Sequence, residues 1–223
     1  MALVQIENIS KIYQTGEVEV AALSDITLSI EKSAFVSFVG PSGSGKTTML
    51  NLIGCLDKPS SGRILVNGKQ VDLFSRKKRA AFRGEVIGFI FQSFNLFPVL
   101  TAYENIEYPL IMIKNEPAQK RKEMVMDVLE SVGMLDQKDK FPDQLSGGQK
   151  QRVAVARALI TKPKLVMADE PTANLDKASS LNIIRLMREM KDKFNTTFIF
   201  STHDPRIMDE AEITYTLVDG KLS

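Results

Sequence analysis

The stretch "GPSGSGKTT", residues 40–48, has the residue types and spacing that phosphate chemistry needs. Gly40, Gly43 and Gly45, with Pro41, Ser42 and Ser44 between them, let backbone N–H groups curl round phosphate oxygens. Lys46 reaches the terminal phosphates, the Thr47 hydroxyl can ligate Mg²⁺, and Thr48 completes the run. The short apolar run "FVSFVG" precedes it and "KTTMLNLIGCL" continues it. The motif therefore reads as a loop leading from a buried strand into a helix, which sets it apart from an ordinary Gly-Ser loop.

Other residues fit around such a loop. "LVMADEP" delivers Asp169 to the carboxyl end of an apolar strand, where open parallel sheets bind ligands. Asp169 can hold Mg²⁺ through water, and Glu170 can polarise an attacking water. His203, the single histidine, follows the strand-like "TFIFST" and would arrive at the same sheet edge, placed to contact a terminal phosphate. Gln92 ends "VIGFIF"; its amide can ligate Mg²⁺ or bond the nucleophile. Tyr13 ends the first strand, where its ring either packs or stacks on a base. "QLSGGQKQR" puts Gly147 and Gly148 where a helix starts, although a glycine there costs about 1 kcal/mol against alanine. Ser146 can be a plain cap, or the helix start can seat a phosphate.

These residues need a scaffold. The chain has 223 residues, 43% of them hydrophobic and 25% charged, which suits one domain with an inserted lobe. A net charge of +2 gives no field for nucleic acid. The one cysteine, Cys55, excludes an internal disulfide or a cysteine-cluster metal site. No window approaches the ~20 apolar residues that cross a bilayer, and the start lacks a signal-peptide pattern. Another subunit would have to supply any membrane span.

Strand signals fall at "VQIENISKIY", "ALSDITLSI", "FVSFVG", "RILVNGK" and "VIGFIFQ", then again at "KLVMAD", "TTFIFSTH" and the hairpin "ITYTLVDGKL". Between about 101 and 161 none is convincing; "AQKRKEMVMDVLESVG" reads as a helix burying Met124, Val125, Val128, Leu129 and Val132. The fold expected is α/β: a mostly parallel sheet with an antiparallel β subdomain, a core at about 1–92 and 162–223, and a helical subdomain at about 93–161.

Together these motifs resemble the ATP-binding-cassette (ABC) ATPases over the whole chain. The resemblance implies ATP as substrate, Mg²⁺ as cofactor, and a head-to-tail homodimer. In that dimer Ser146, Gly148 and Gln149 serve the nucleotide on the other subunit's loop, so one chain alone should be a poor ATPase. Tyr13 then matches the adenine-stacking aromatic, Gln92 the Q-loop residue beside a membrane permease, and Asp169 the Walker B acid. Glu170 matches the catalytic base, Asp176 of "ANLD" the loop crossing the dimer seam, and His203 the switch histidine. A narrower likeness, through "IGFIFQSFNLFPVLTAYENIEYPL" and "FPDQLSGGQKQRVAVARAL", is to the group containing the MacB, LolD and FtsE ATPases. Their permeases have four spans and a large outer domain, which implies a peripheral place on the cytoplasmic membrane face and a role in export, lipoprotein extraction or control of an envelope enzyme. ABC proteins of translation or repair carry tandem cassettes or long coiled coils, which are not seen here. Three departures stand out: Ser33-Ala34 where Gly-Glu is usual, Thr47-Thr48 for Ser-Thr, and "ANLD" for "SALD". The chain stops soon after the last hairpin, so no appended regulatory domain is expected.

Overall fold

The computed structural model describes residues 2–16 and 18–223. Strands β1 (Ala2–Thr15) and β2 (Val18–Glu31) form a long antiparallel hairpin turning near Gly16. Strand β3 (Phe35–Val39) runs into the 40–48 loop and helix α1 (Lys46–Ile53). Strands β4 (Ser61–Val66) and β5 (Lys69–Gln70) return to the hairpin, giving an antiparallel sheet in the order β2-β1-β4-β5. Helix α2 (Arg76–Val86) and strand β6 (Ile87–Ile90) follow.

The helical block then contains α3 (Ala102–Pro109), α4 (Ala118–Ser131) and α5 (Gly147–Leu159). Alternation resumes with β7 (Leu165–Ala168), α6 (Lys177–Phe194), β8 (Thr197–Thr202), β9 (Ile213–Val218) and β10 (Lys221–Leu222). The second sheet has the order β10-β9-β3-β8-β7-β6; all its pairs are parallel except the terminal hairpin.

Strand residues alternate between faces, and here both faces are covered. Val36, Phe38, Leu165, Met167 and Ile199 face α1 and the antiparallel sheet. Phe35, Val166, Ala168, Phe198 and Phe200 face α6 and the helical block, sharing one apolar core with Ile106, Val128 and Val153. The helix expected near 118–133 is present, with Val125, Val128, Leu129 and Val132 buried, Met124 only partly so, and Gly133 leaving it at φ 67°.

Two features lie outside the sequence reading. Helix α2 was not anticipated: its string of cations hides a pair one turn apart, Phe82 and Val86, which is all it buries. At the other end of the sheet, Ser33 adopts φ 58°, the conformation glycine takes freely, and is held by Thr197 Oγ1, which accepts from its N–H at 2.8 Å, and by Asn195. The Ser33-Ala34 departure thus keeps a left-handed turn by side-chain bonding.

One glycine sets how closely α5 approaches the sheet. A Cβ on Gly88 of β6 would stand 2.3 Å from the Ala158 carbonyl oxygen, so any side chain there must push the helix away. Gly88→Ala is expected to destabilise the protein by about 1–3 kcal/mol, the usual range for overpacking, read from the shift in urea midpoint.

Candidate active site

Parallel pairing aligns the strand ends. Val39 lies beside Thr202, Phe200 beside Ala168, and Ala168 beside Ile90. The residues that follow, Gly40, His203, Asp169 and Gln92, therefore emerge along one edge. Gln92 and His203 line a cleft of about 540 Å³ together with Ser42, Lys46, Thr47 and Glu170, and Asp169 is bonded to its Thr47.

The loop is shaped before any ligand arrives. Gly45 caps α1 at φ 103° with no side-chain cap, so the first N–H groups of the helix have no side chain competing for them. A Cβ at Gly45 would meet the Ala22 carbonyl at 2.6 Å, which excludes other residues. Lys46 is buried, and its ammonium donates to the Gly40 and Pro41 carbonyls at 2.8 and 2.9 Å, keeping a cation inside the loop. Ser44 Oγ is buried beneath the loop with no hydrogen-bond partner among the described residues.

The acids sit opposite. Thr47 Oγ1 donates to Asp169 Oδ1 at 3.2 Å, bringing together two hard oxygen donors suited to Mg²⁺. Among the described residues no three His, Cys, Asp or Glu side chains form a metal cage, so phosphate oxygens and water would complete that shell. Glu170 takes φ 46°, a strained conformation for a side chain of this size, and His203 Nδ1 lies 3.0 and 3.1 Å from its carboxylate oxygens.

Sequence reasoning missed Ser201, two residues before His203. Its buried hydroxyl accepts from the Glu170 N–H at 2.8 Å and donates to Asp169 Oδ1 at 2.7 Å, tying both acids to β8. Its small polar type inside the apolar "TFIFST" run was the available signal. Asn174 was missed too; its amide donates to the Gln92 carbonyl at 3.0 Å, joining the end of β6 to the segment after β7.

Other expected residues lie apart from the cleft lining. Tyr13 stands on β1, and its hydroxyl donates to Asp57 Oδ2 at 3.0 Å. Asp176 caps α6, accepting from the Ser179 N–H at 3.0 Å, and the Ser179 hydrogen bonds hold its carboxyl below the usual carboxylate range. Ser146, Gly148 and Gln149 are not among the lining residues. Ser146 and Gln149 form a reciprocal cap: the Ser146 N–H donates to Gln149 Oε1 at 2.9 Å, and the Gln149 N–H to Ser146 Oγ at 3.3 Å.

Replacing Ser201 by alanine should leave the chain folded but loosen both acids. A bond to a carboxylate is worth about 1.5–3 kcal/mol, so kcat for ATP hydrolysis should fall by about tenfold or more, with KM little changed, in steady-state assays.

Comparison with known proteins agrees with this geometry. The ABC transporter family model matches residues 23–173. The lipoprotein-releasing system ATP-binding protein LolD of Francisella tularensis is 42% identical over 97% of this chain and 94% of its own length. An ABC transporter ATP-binding protein of Thermotoga maritima is 41% identical over 99% of this chain and 93% of its own length. Among solved structures, the dimeric post-hydrolysis state of the ATP-binding cassette MJ0796 bound to ADP and Pi superposes with a TM-score of 0.89 at 38% identity, covering 99% and 96% of the two chains. The cbiO1 protein of Clostridium perfringens, part of the cbiONQ transporter complex, superposes at 0.91 with 32% identity over 100% and 87%. With a strand-to-helix phosphate loop, paired acids and a histidine on one sheet edge, and these relatives, this chain belongs to the ABC transporter ATP-binding family and is an ATPase.

Proposed function

We propose that this chain hydrolyses ATP as one half of a head-to-tail homodimer and drives a four-span permease of the FtsX/MacB kind, extracting lipoproteins or exporting a substrate. In this reading the loop 40–48 wraps the phosphates and Lys46 turns from its carbonyls to the γ-phosphate. Thr47, Asp169 and Gln92 would hold Mg²⁺, which when bound neutralises charge spread over the β- and γ-phosphates. Glu170 takes the proton of the attacking water, and His203 holds that water and the γ-phosphate in line. Tyr13 stacks on the adenine, and Asp176 crosses the seam.

The observation that carries the dimer is Gly148. An added Cβ there would meet only Ser179, at 3.6 Å, which is ordinary contact, and its φ is not left-handed. Nothing among the described residues demands glycine there, yet glycine is costly in a helix. The demand is external, and it fits a phosphate arriving from the other subunit's loop at the N–H groups and positive end of α5. Ser146 is exposed and available to that ligand.

The permease reading rests on a second cleft. Pro109 removes a donor, the next residues, Leu110–Lys114, wind as a π-helix, and Ile111, Met112 and Ile113 are left exposed. Of these, Ile113 borders, with Phe91, Phe97, Gly84 and Ile87, an apolar groove of about 320 Å³ just beyond Gln92. Among the described residues no helix is long and apolar enough to cross a membrane, so the span would come from the partner. Residues of about 93–161 would be the lobe that moves it, placing the dimer on the cytoplasmic membrane face.

Two measurements test this. Gly148→Ala should raise the denaturation midpoint of the isolated chain, by up to about 1 kcal/mol, while abolishing ATP-driven dimerisation in light scattering. Glu170→Gln should cut hydrolysis at least about 100-fold, keep ATP bound, and recover the permease from native membranes by mass spectrometry. A recovered permease linked to an envelope hydrolase, with no transport in vesicles, would indicate force transmission; ribosomes or DNA in its place would refute the membrane reading.

A further inference from the structure

Around Tyr13 lies a cluster, outside the cleft lining, that the chemistry above does not use. Lys11, on the same strand, places its ammonium 4.7 Å from the centroid of the Tyr13 ring. The same ammonium pairs with Asp57 Oδ2 at 2.8 Å and donates to the Lys58 carbonyl at 2.8 Å, and Lys11 is only 12% exposed at its side chain. Asp57 accepts the Tyr13 hydroxyl and the Lys58 N–H as well. The ring is thus fixed at its hydroxyl and covered on one face by a cation that is itself held by Asp57 and the Lys58 carbonyl.

We propose that Lys11 and Asp57 are positioning residues that hold the Tyr13 ring as a one-sided platform for the purine base of the nucleotide, and so set affinity for the base but not for the phosphates. This rests on the ATPase reading above.

The remaining ring face belongs to a shelf. Tyr13 lies directly across from Val20 in the hairpin register, so the two side chains stand on the same sheet face, and Ala22, two residues on, lines the phosphate cleft. Val20 is exposed. A planar base continuing from the phosphates would cover the free ring face and Val20 together. The Asp57 anchor comes from the turn after α1, so the platform is tied to the helix that begins at the phosphate loop. Burial alone would raise the Asp57 carboxyl, but its bonds to Lys11, Lys58 and Tyr13 outweigh this and keep it ionised.

The test compares ATP with inorganic tripolyphosphate, which has no base, by titration calorimetry with Mg²⁺ on the whole chain. Lys11→Met and Asp57→Asn should each weaken ATP binding by about three- to tenfold and leave tripolyphosphate unchanged; Lys11→Arg should restore ATP binding. Equal losses for both ligands, or no loss for either, would overturn the proposal. Tyr13→Ala separates the two readings. If it weakens ATP and the Lys11 and Asp57 variants do not, the positioning role alone fails. If Tyr13→Ala has no effect, or the wild-type chain binds no ATP, the base-stacking reading beneath it fails. Melting temperatures of the unliganded variants report any general loss of fold.

Discussion

Parallel pairing of β3, β8, β7 and β6 is the constraint on which everything else rests. Because the four strands run the same way and in register, whatever follows each one emerges on a common edge. A phosphate loop, an acid pair, a histidine and a glutamine from four distant parts of the sequence become neighbours without any loop reaching far. The pairing is itself enforced by burial. Residues such as Val166 and Ala168 face one core and Leu165 and Met167 the other, so a slip of one residue would exchange them all.

That logic explains what could be read from sequence. Strands buried on both faces appear as short apolar runs, and the residue ending each run is the one delivered to the edge; Asp169 and His203 were legible for that reason. Gly45 was legible through its place in the 40–48 motif, and the structure supplies the reason: φ 103° and an Ala22 carbonyl that a Cβ would meet at 2.6 Å. Ser201 was not, because inside a strand pattern a serine reads as one weak position, and its value lies in two bonds across to β7 that no spacing encodes. Helix α2 escaped because two buried residues within a run of cations give little periodic signal.

The same separation applies to Tyr13. Its type and place at the end of β1 suggest a ring near a base, but the sequence says nothing of the partners behind it. Lys11 stands two residues back on the same strand, and Asp57 and Lys58 come from the turn after α1, brought to it because β4 returns to pair with β1. Long-range pairing turns a half-exposed aromatic into an oriented one.

The signature segment shows that a cap and an anion seat are not rival descriptions. Ser146 Oγ accepts from the Gln149 N–H, and Gln149 Oε1 accepts from the Ser146 N–H. A hydroxyl has one donor and two acceptor positions, so accepting that bond leaves the Ser146 O–H free to donate to a phosphate. The cap fixes the direction in which the hydroxyl and the first turn of α5 point, and it does so within the single chain. Gly147 and Gly148 complete the arrangement by keeping the surface of that turn bare. In the proposed dimer, what a single chain lacks would be not the order of its half-site but the nucleotide-bearing loop to place against it. Association would then need little rearrangement of α5, leaving binding energy from the phosphates for closing that dimer.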